Sequence, residues 1–290
     1  MRNKYTIYGS CQADALAYIL NSNSYFNSKY EYCTINRAYI MTEDEVEILN
    51  QTLFPQLVLF IFQPIINFPT KMTTEYIIHN VLKKDCIKIA FPYLHFSGYH
   101  PQTTIAKFNG PFDGFCPYHD INLIKEYNLT NGNVDIPEFI KRISQTDFYN
   151  EKFLLQNIEN NLYELSKREH EDINYHYIKV CDFIRRNYKN MLLFWTINHP
   201  TKYMLQYVMQ GICGHLQINI SFDDTIDFLK KDNILPIYNS VAKLLDLRFA
   251  NSMEQGLFEQ IYSLDIVFKK DIEIYNNLCK TENNFEPLKF

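Results

Sequence analysis

A cysteine stands at position 11, directly after Gly9 and Ser10, in the stretch KYTIYGSCQADALAYIL at residues 4–20. The run before it reads as a strand, and the run after it places Ala15, Leu16 and Ile19 on one helical face. A thiol at such a strand–turn–helix junction projects from the top edge of a sheet beside unpaired backbone N–H groups. Those groups hold an oxyanion or a phosphate, and a helix N-terminus lowers a thiol pKa. The chemistry this suits is attack by a thiol nucleophile, with the backbone N–H groups around Ser10 to Gln12 holding an oxyanion. A small cysteine packed under the first helix fits the same segment, because free Cys is among the most buried residue types.

A base for that thiol is offered by FWTINHPTKY, which sets Asn198 and His199 between a strand-like run and a helix. The same histidine also suits a helix start bonded to a carbonyl. Gln63, directly after the apolar run LVLFIF, is a candidate binding residue at a neighbouring strand end. The loop FPYLHFSGYHPQ at 91–102 gathers two histidines, two tyrosines, a serine and a glycine. It reads as a binding wall with Tyr99 and His100 toward substrate, or as an aromatic surface loop. CPYH at 116–119 is one Cys-x-x-His pair without a second pair at zinc spacing, so no metal is expected. No GxGxxG or Walker sequence is present.

The elements that must position these residues alternate over the first third of the chain. Strands are predicted at KYTIYG, YEYCTINRAYI, LVLFIF and CIKIAFP, and helices at QADALAYILN, TEDEVEILNQTL and TTEYIIHNVLKK. Thr42 and Glu45 have the spacing of a capping box. The order β-α-β-α-β-α-β predicts an α/β fold with a parallel sheet covered by helices on both faces, of SGNH or flavodoxin type. Such sheets take ligands at the carboxyl ends of their strands, where Cys11, Gln63 and the loop after Pro92 fall. We expect an α/β core over 1–125 and a mainly helical part over 126–290. Within the latter, apolar residues from Phe153 to Tyr188 recur at helical spacing, predicting one long helix near 150–190 or a close pair broken near REHEDIN. MLLFWTI predicts a strand near 191–197 returning to the sheet, and LPIYNSVAKLLDL is the clearest helical segment of the tail.

The 290 residues carry a net charge of −5 with both signs scattered, and no basic stretch longer than RRNYK, which argues against nucleic acid as a partner. Seven widely spaced cysteines without a CxxC pair argue against a disulfide framework. The start runs directly into a strand, unlike a signal peptide, and no apolar run is long enough to span a bilayer. A cytoplasmic setting is expected, where the sequon NLT at 128–130 has no meaning. The 22 Tyr and 22 Phe suit an aromatic-lined interior and leave room for a homo-oligomer face.

Taken together, these segments resemble the WcbI-like capsular polysaccharide biosynthesis proteins, a family viewed as acetyltransferases that bind coenzyme A. YGSCQ at 8–12 is similar to the family's Gly-Asn-Cys-Gln turn, followed in the same order by LVLFIFQPI, FPYLHFSGYHP, LSKRE at 165–169 and FWTINHPT. The resemblance covers roughly residues 5 to 215. Ser10 stands where the family usually has Asn, which passes any oxyanion role of that amide to Ser10 or to the backbone. The turn also looks like the Gly-Asp-Ser turn of SGNH-type esterases. The resemblance implies a cradle-shaped protein with a deep coenzyme A pocket, moving an acetyl group to a sugar hydroxyl. Cys11, Gln12 and His199 are the positions carried over as catalytic, and Gln63 would then hold the acyl carbonyl or the sugar, with Asn198 a further oxyanion or substrate residue. Cations are then needed for the phosphates of coenzyme A, and Lys71, Lys167 and above all Arg168 are the candidates. A glycan esterase and a non-catalytic binding protein are the rival readings.

Overall fold

The protein is described by a computed structural model. It describes residues 2–105, 118–169, 172–221, 226–230, 234–250, 254–281 and 284–285, with side chains left aside in 254–263 and from 277 on. The elements run β1 (Asn3–Tyr8), α1 (Cys11–Ser22), α2 (Ser24–Lys29), β2 (Tyr30–Tyr32), α3 (Glu43–Thr52), β3 (Leu59–Phe62), α4 (Thr74–Asn80) and β4 (Ile87–Ala90). Then come β5 (Thr103–Ile105), β6 (Tyr118–Asp120), α5 (Ile121–Leu129), α6 (Ile136–Ile143) and α7 (Glu151–Ser166). β7 (His176–Tyr177), α8 (Cys181–Asn187), α9 (Lys202–His215), α10 (Asn239–Leu244) and α11 (Glu254–Cys279) follow.

Two compact units interleave along the chain. The first takes Met1–His95, Leu162–Asn187 and Leu193–Lys231; the second takes Phe96–Asn161, Tyr188–Leu192 and Asp232–Phe290. The first is the α/β unit. Its sheet has the order β2-β1-β3-β4-β7, with every pair parallel. β3, LFIF, is buried along its whole length, as a strand covered on both faces must be. Tyr8, Phe60 and Phe62 stack in series on one face and join Val46, Phe54 and Ile77 in an apolar cluster. Each such side chain contributes about 1.5–3 kcal/mol on burial. The capping box at Thr42 and Glu45 is present and starts α3.

Counted within this sheet the order is 2-1-3-4-5, the doubly wound arrangement in which the chain reverses direction between β1 and β3. Strands β1 and β3 therefore open a crevice at their carboxyl ends. Cys11 follows β1 and Gln63 follows β3, so both stand at that switch point.

The second unit is largely helical, with the antiparallel pair β5–β6. Asp120 caps α5 by accepting from the Asn122 and Leu123 amides, and Asp135 caps α6 ahead of Pro137. Tyr127 and Tyr275 meet edge to face in its core, as do Phe139 and Phe268. Among the described residues no helix is long and apolar enough to cross a membrane.

The helical stretch near 150–190 is the broken pair, interrupted at REHEDIN, and not one long helix: α7 ends at Ser166, β7 joins the sheet, and α8 starts afresh at Cys181. The break has a physical cause. The open edge of β4 recruits Tyr177 opposite Ala90, and Glu169 Oε1 accepts from the Val180 and Cys181 amides at 2.6 and 2.8 Å, capping a new helix. The strand expected near 191–197, by contrast, is not in the sheet. That segment doubles back on itself, Trp195 N–H donating to His199 O and Thr201 N–H to Leu193 O, both at 2.8 Å. Its backbone groups are satisfied locally, and the returning strand is β7.

Candidate active site

The site is built around the turn between β1 and α1. Ser10 is the N-cap, with extended backbone, and Cys11 is the first helical residue. Gly9 is required by close approach: a Cβ there would lie 2.6 Å from Gln63 Oε1. That oxygen accepts from both the amide and the hydroxyl of Ser10, each at 2.8 Å. Gln63 Nε2 donates to Gln12 Oε1 at 2.7 Å, and Gln12 Oε1 also accepts from the Leu94 amide at 3.0 Å. Gln12 Nε2 completes the lattice by donating to Leu94 O at 2.8 Å and Asn198 O at 2.7 Å. Two buried carboxamides thus tie together the ends of β1, β3 and β4 and the loop before α9. Buried networks of this kind fix geometry because each unmade bond costs a full desolvation.

This changes the roles expected of three residues. Gln63 does not present its side chain to an acyl carbonyl or a sugar, since both ends are engaged within the lattice. Both ends of the Gln12 side chain are engaged in the same lattice. The Ser10 amide is bonded to Gln63 and the Gln12 amide to Ser10 Oγ at 3.4 Å, so neither is left for an oxyanion. Of that turn's amides, Cys11 N–H is the one that faces the thiol.

The Cys11 thiol is half-buried. Burial pushes its pKa up, Arg37 pulls it down, Asp14 opposes Arg37, and the Ser10 hydrogen bond and its own amide lower it again; the sum is upward. The lowering expected from the helix N-terminus is therefore outweighed by desolvation. Arg37 is delivered by the loop after β2, which Ala38 N–H pins to Gly9 O at 2.9 Å, and it pairs with Asp14 on α1.

The facing wall comes from the exit of β4 and the loop before α9. Tyr93 and His95 stack with centroids 6.3 Å apart. Asn198 Nδ2 donates to Tyr93 Oη at 2.7 Å. Thr196 Oγ1 accepts from the His199 amide at 3.1 Å and donates to Asn198 Oδ1 at 3.2 Å, closing a tight turn that leaves the His199 residue half-buried. Asp227 steadies this turn by accepting from Trp195 Nε1 at 2.8 Å and from the Lys202 amide at 3.0 Å. Arg168 is exposed, yet its charge reaches both Tyr93 and His95; the His95 pKa is lowered by burial first and by Arg168 second.

Other expected residues stand elsewhere. Tyr99 and His100 belong to the second unit and are fully buried there. Tyr99 Oη donates to Tyr188 O at 2.7 Å, and His100 Nδ1 bonds Pro236 O at 3.2 Å. They are core residues; from the same loop it is Tyr93 that lies within electrostatic reach of the thiol, with His95 stacked on it. Lys71 is on the surface, paired with Glu47 at 2.7 Å, and Lys167 pairs with Glu164 at 2.6 Å along α7 and its C-terminal extension. Arg168 lies beside Lys167. Arg37, Tyr93 and His95 were not singled out by sequence. The signal for the last two was the strand exit immediately after Pro92; for Arg37 there was none. Among the described residues no group of three or more His, Cys, Asp or Glu is placed to hold a metal ion, and Cys116 lies outside the described residues.

Comparison with known proteins agrees with this architecture. The family described as polysaccharide biosynthesis enzyme WcbI matches residues 4–221, and the chain belongs to that family. Among solved structures, it is similar to one reported as WcbI, a novel polysaccharide biosynthesis enzyme, in its native form without a disulfide bond between COA and a cysteine of that protein. The TM-score is 0.70 and the identity 24%, over 96% of this chain and 97% of the other. At that identity the likeness carries the fold. No curated protein matches.

Proposed function

We propose that this family member transfers an acetyl group from acetyl-coenzyme A to a sugar hydroxyl during assembly of a capsular or other surface polysaccharide, in the cytoplasm. The observation that carries the reading is the glutamine lattice holding the Cys11 turn against the loop that bears His199, at the switch point of the sheet. A neutral, half-buried thiol needs a base before it can attack, and His199 is assigned that role. It takes the Cys11 proton as Sγ attacks the thioester carbonyl. The bond from that carbonyl to the coenzyme sulfur breaks, the leaving sulfur takes the proton from His199, and the acetyl group rests on Cys11. His199 then removes the acceptor's hydroxyl proton as its oxygen attacks, and Sγ leaves and regains a proton. Cys11 N–H is the proposed oxyanion donor, worth about 3–4 kcal/mol in a well-aimed case. Arg168 and Arg37 are the proposed phosphate partners, by guanidinium geometry. The pairing of COA with a cysteine in the name of the related structure supports a coenzyme thiol near such a residue.

Intact-mass spectrometry after mixing with acetyl-coenzyme A tests the covalent step. One acetyl group is expected on the wild-type chain and none on Cys11→Ala; wild-type turnover by Cys11→Ala would overturn it. A melting-temperature rise with coenzyme A but not with acetate distinguishes a transferase from an esterase. Binding without turnover over a broad panel of sugar acceptors would identify a binding protein.

A further inference from the structure

Beyond the thiol site, the first unit holds an open cleft of ≈ 590 Å³ between the strand β7 region and α9. Its lining includes the rings of Tyr207 and His176, with Asp172, Lys179 and Gln210 at the same opening, while Tyr175 and Tyr177 turn their rings to Phe62 and the apolar cluster. Tyr207 lies parallel to Phe183 at 4.0 Å and 17°, which fixes its ring as a rigid plate. His176, also in the wall, stacks on His215 at 4.1 Å and 6°. Burial and the neighbouring His215 both hold the His176 pKa down. Gly211 of α9 packs so near Ile178 that a Cβ would come within 2.9 Å of it, so the helix is seated closely on the segment after β7.

The chemistry of this lining selects its ligand. Flat rings cover the apolar C–H faces of a pyranose, while a carboxylate, an ammonium and a carboxamide bond its hydroxyls. One positive and one negative side chain offset each other, so the cleft lacks the cation excess that phosphates of a nucleotide would need. Its volume falls in the range of small-molecule sites. The backbone connects it to the thiol site. β7 pairs with β4, whose exit carries Tyr93 and His95, and α9 begins just after His199, with Gln210 nine residues past Thr201, about 13 Å along the axis.

We propose that this cleft is a neutral-glycan subsite, binding a short oligosaccharide segment of the acceptor. It rests on the acyl-transfer reading for its purpose but not for its binding. The test is an NMR and calorimetric titration of the full chain with maltotriose, cellotriose and chitotriose, without acetyl-coenzyme A. At least one is expected to bind with a Kd on the order of 1 mM, perturbing signals of Gln210 and Tyr207. Tyr207→Ala and the surface variant Gln210→Ala are each expected to weaken binding at least fivefold, and Cys11→Ala to leave it unchanged. Binding by none of the three sugars, or binding undiminished in a folded Gln210→Ala and Tyr207→Ala, overturns the subsite. Sugar binding that survives while acetyl-coenzyme A neither binds nor acylates Cys11 would sink the acyl-transfer reading and leave the subsite standing.

Discussion

The carboxamide of Gln12 donates to the carbonyl oxygen of Asn198 at 2.7 Å, joining residues 186 positions apart. Gln12→Ala removes this bond together with those to Leu94 and Gln63, leaving buried polar groups unmatched at about 1–3 kcal/mol each. A loss of about 2–4 kcal/mol is expected in urea unfolding, with acetylation of Cys11 impaired in the remaining folded protein. An unfolding midpoint equal to wild type would remove the lattice from the account.

Gly9 tests the same lattice from the backbone side. A methyl group there meets Gln63 Oε1 at 2.6 Å, so Gly9→Ala must displace the carboxamide that holds Ser10. Destabilisation of about 1–3 kcal/mol is expected. Combined with Gln63→Ala, the two changes should cost clearly less than their sum, because the clash disappears with the side chain. Strict additivity would contradict the steric reading.

Arg37 draws the Cys11 thiol downward against burial and Asp14. Arg37→Ala removes that help and exposes the thiol to an unbalanced Asp14 carboxylate. The pH profile of iodoacetamide alkylation should therefore move to higher pH, with several-fold slower reaction at neutral pH. A profile that stays in place would show that the guanidinium does not act on the sulfur.

How much of this was legible beforehand varies by element. The Gly-Ser-Cys junction, the Thr42 capping box and the apolar run of β3 depend on near neighbours, and each folds as its residues predict. β7 is two residues long, and its strand character comes from the free edge of β4, so its apolar residues fit a helical period equally well. The loop after Pro92 shows the limit for the site. Tyr93 and Tyr99 have the same chemistry in sequence, and what separates them is the Asn198 amide on one and the Tyr188 carbonyl on the other. The roles of Gln12 and Gln63 follow from strand order, which brings the exits of β1 and β3 together.

His100 predicts a pH response. It is fully buried, and desolvation holds its pKa down to about 4, against a partial rise from Pro236 O. The unfolded chain therefore binds more protons between pH 6.5 and 4, and this contribution to stability is lost as pH falls through that window, by about 3 kcal/mol. Asp120, raised to about 6, has the opposite slope, so the comparison is made by difference. The stability gap between wild type and His100→Gln should narrow by about 3 kcal/mol from pH 7 to pH 4. A constant gap would mean that the imidazole titrates alike in both states.

Arg168 and Lys71 are predicted to differ in ligand binding. The Arg168 charge acts on Tyr93 and His95, whereas Lys71 is engaged by Glu47 on the surface. Arg168→Ala should weaken coenzyme A binding about tenfold by calorimetry, roughly 1.4 kcal/mol, and Lys71→Ala should leave it within twofold. Equal effects would remove Arg168 as a phosphate partner.

The long reach from Gln12 to Asn198 also sets a schedule for biogenesis. At about 5–20 residues per second, roughly 10–40 s pass between the emergence of the first and the second. Throughout that interval the turn that carries Cys11 lacks the last of the bonds that clamp it.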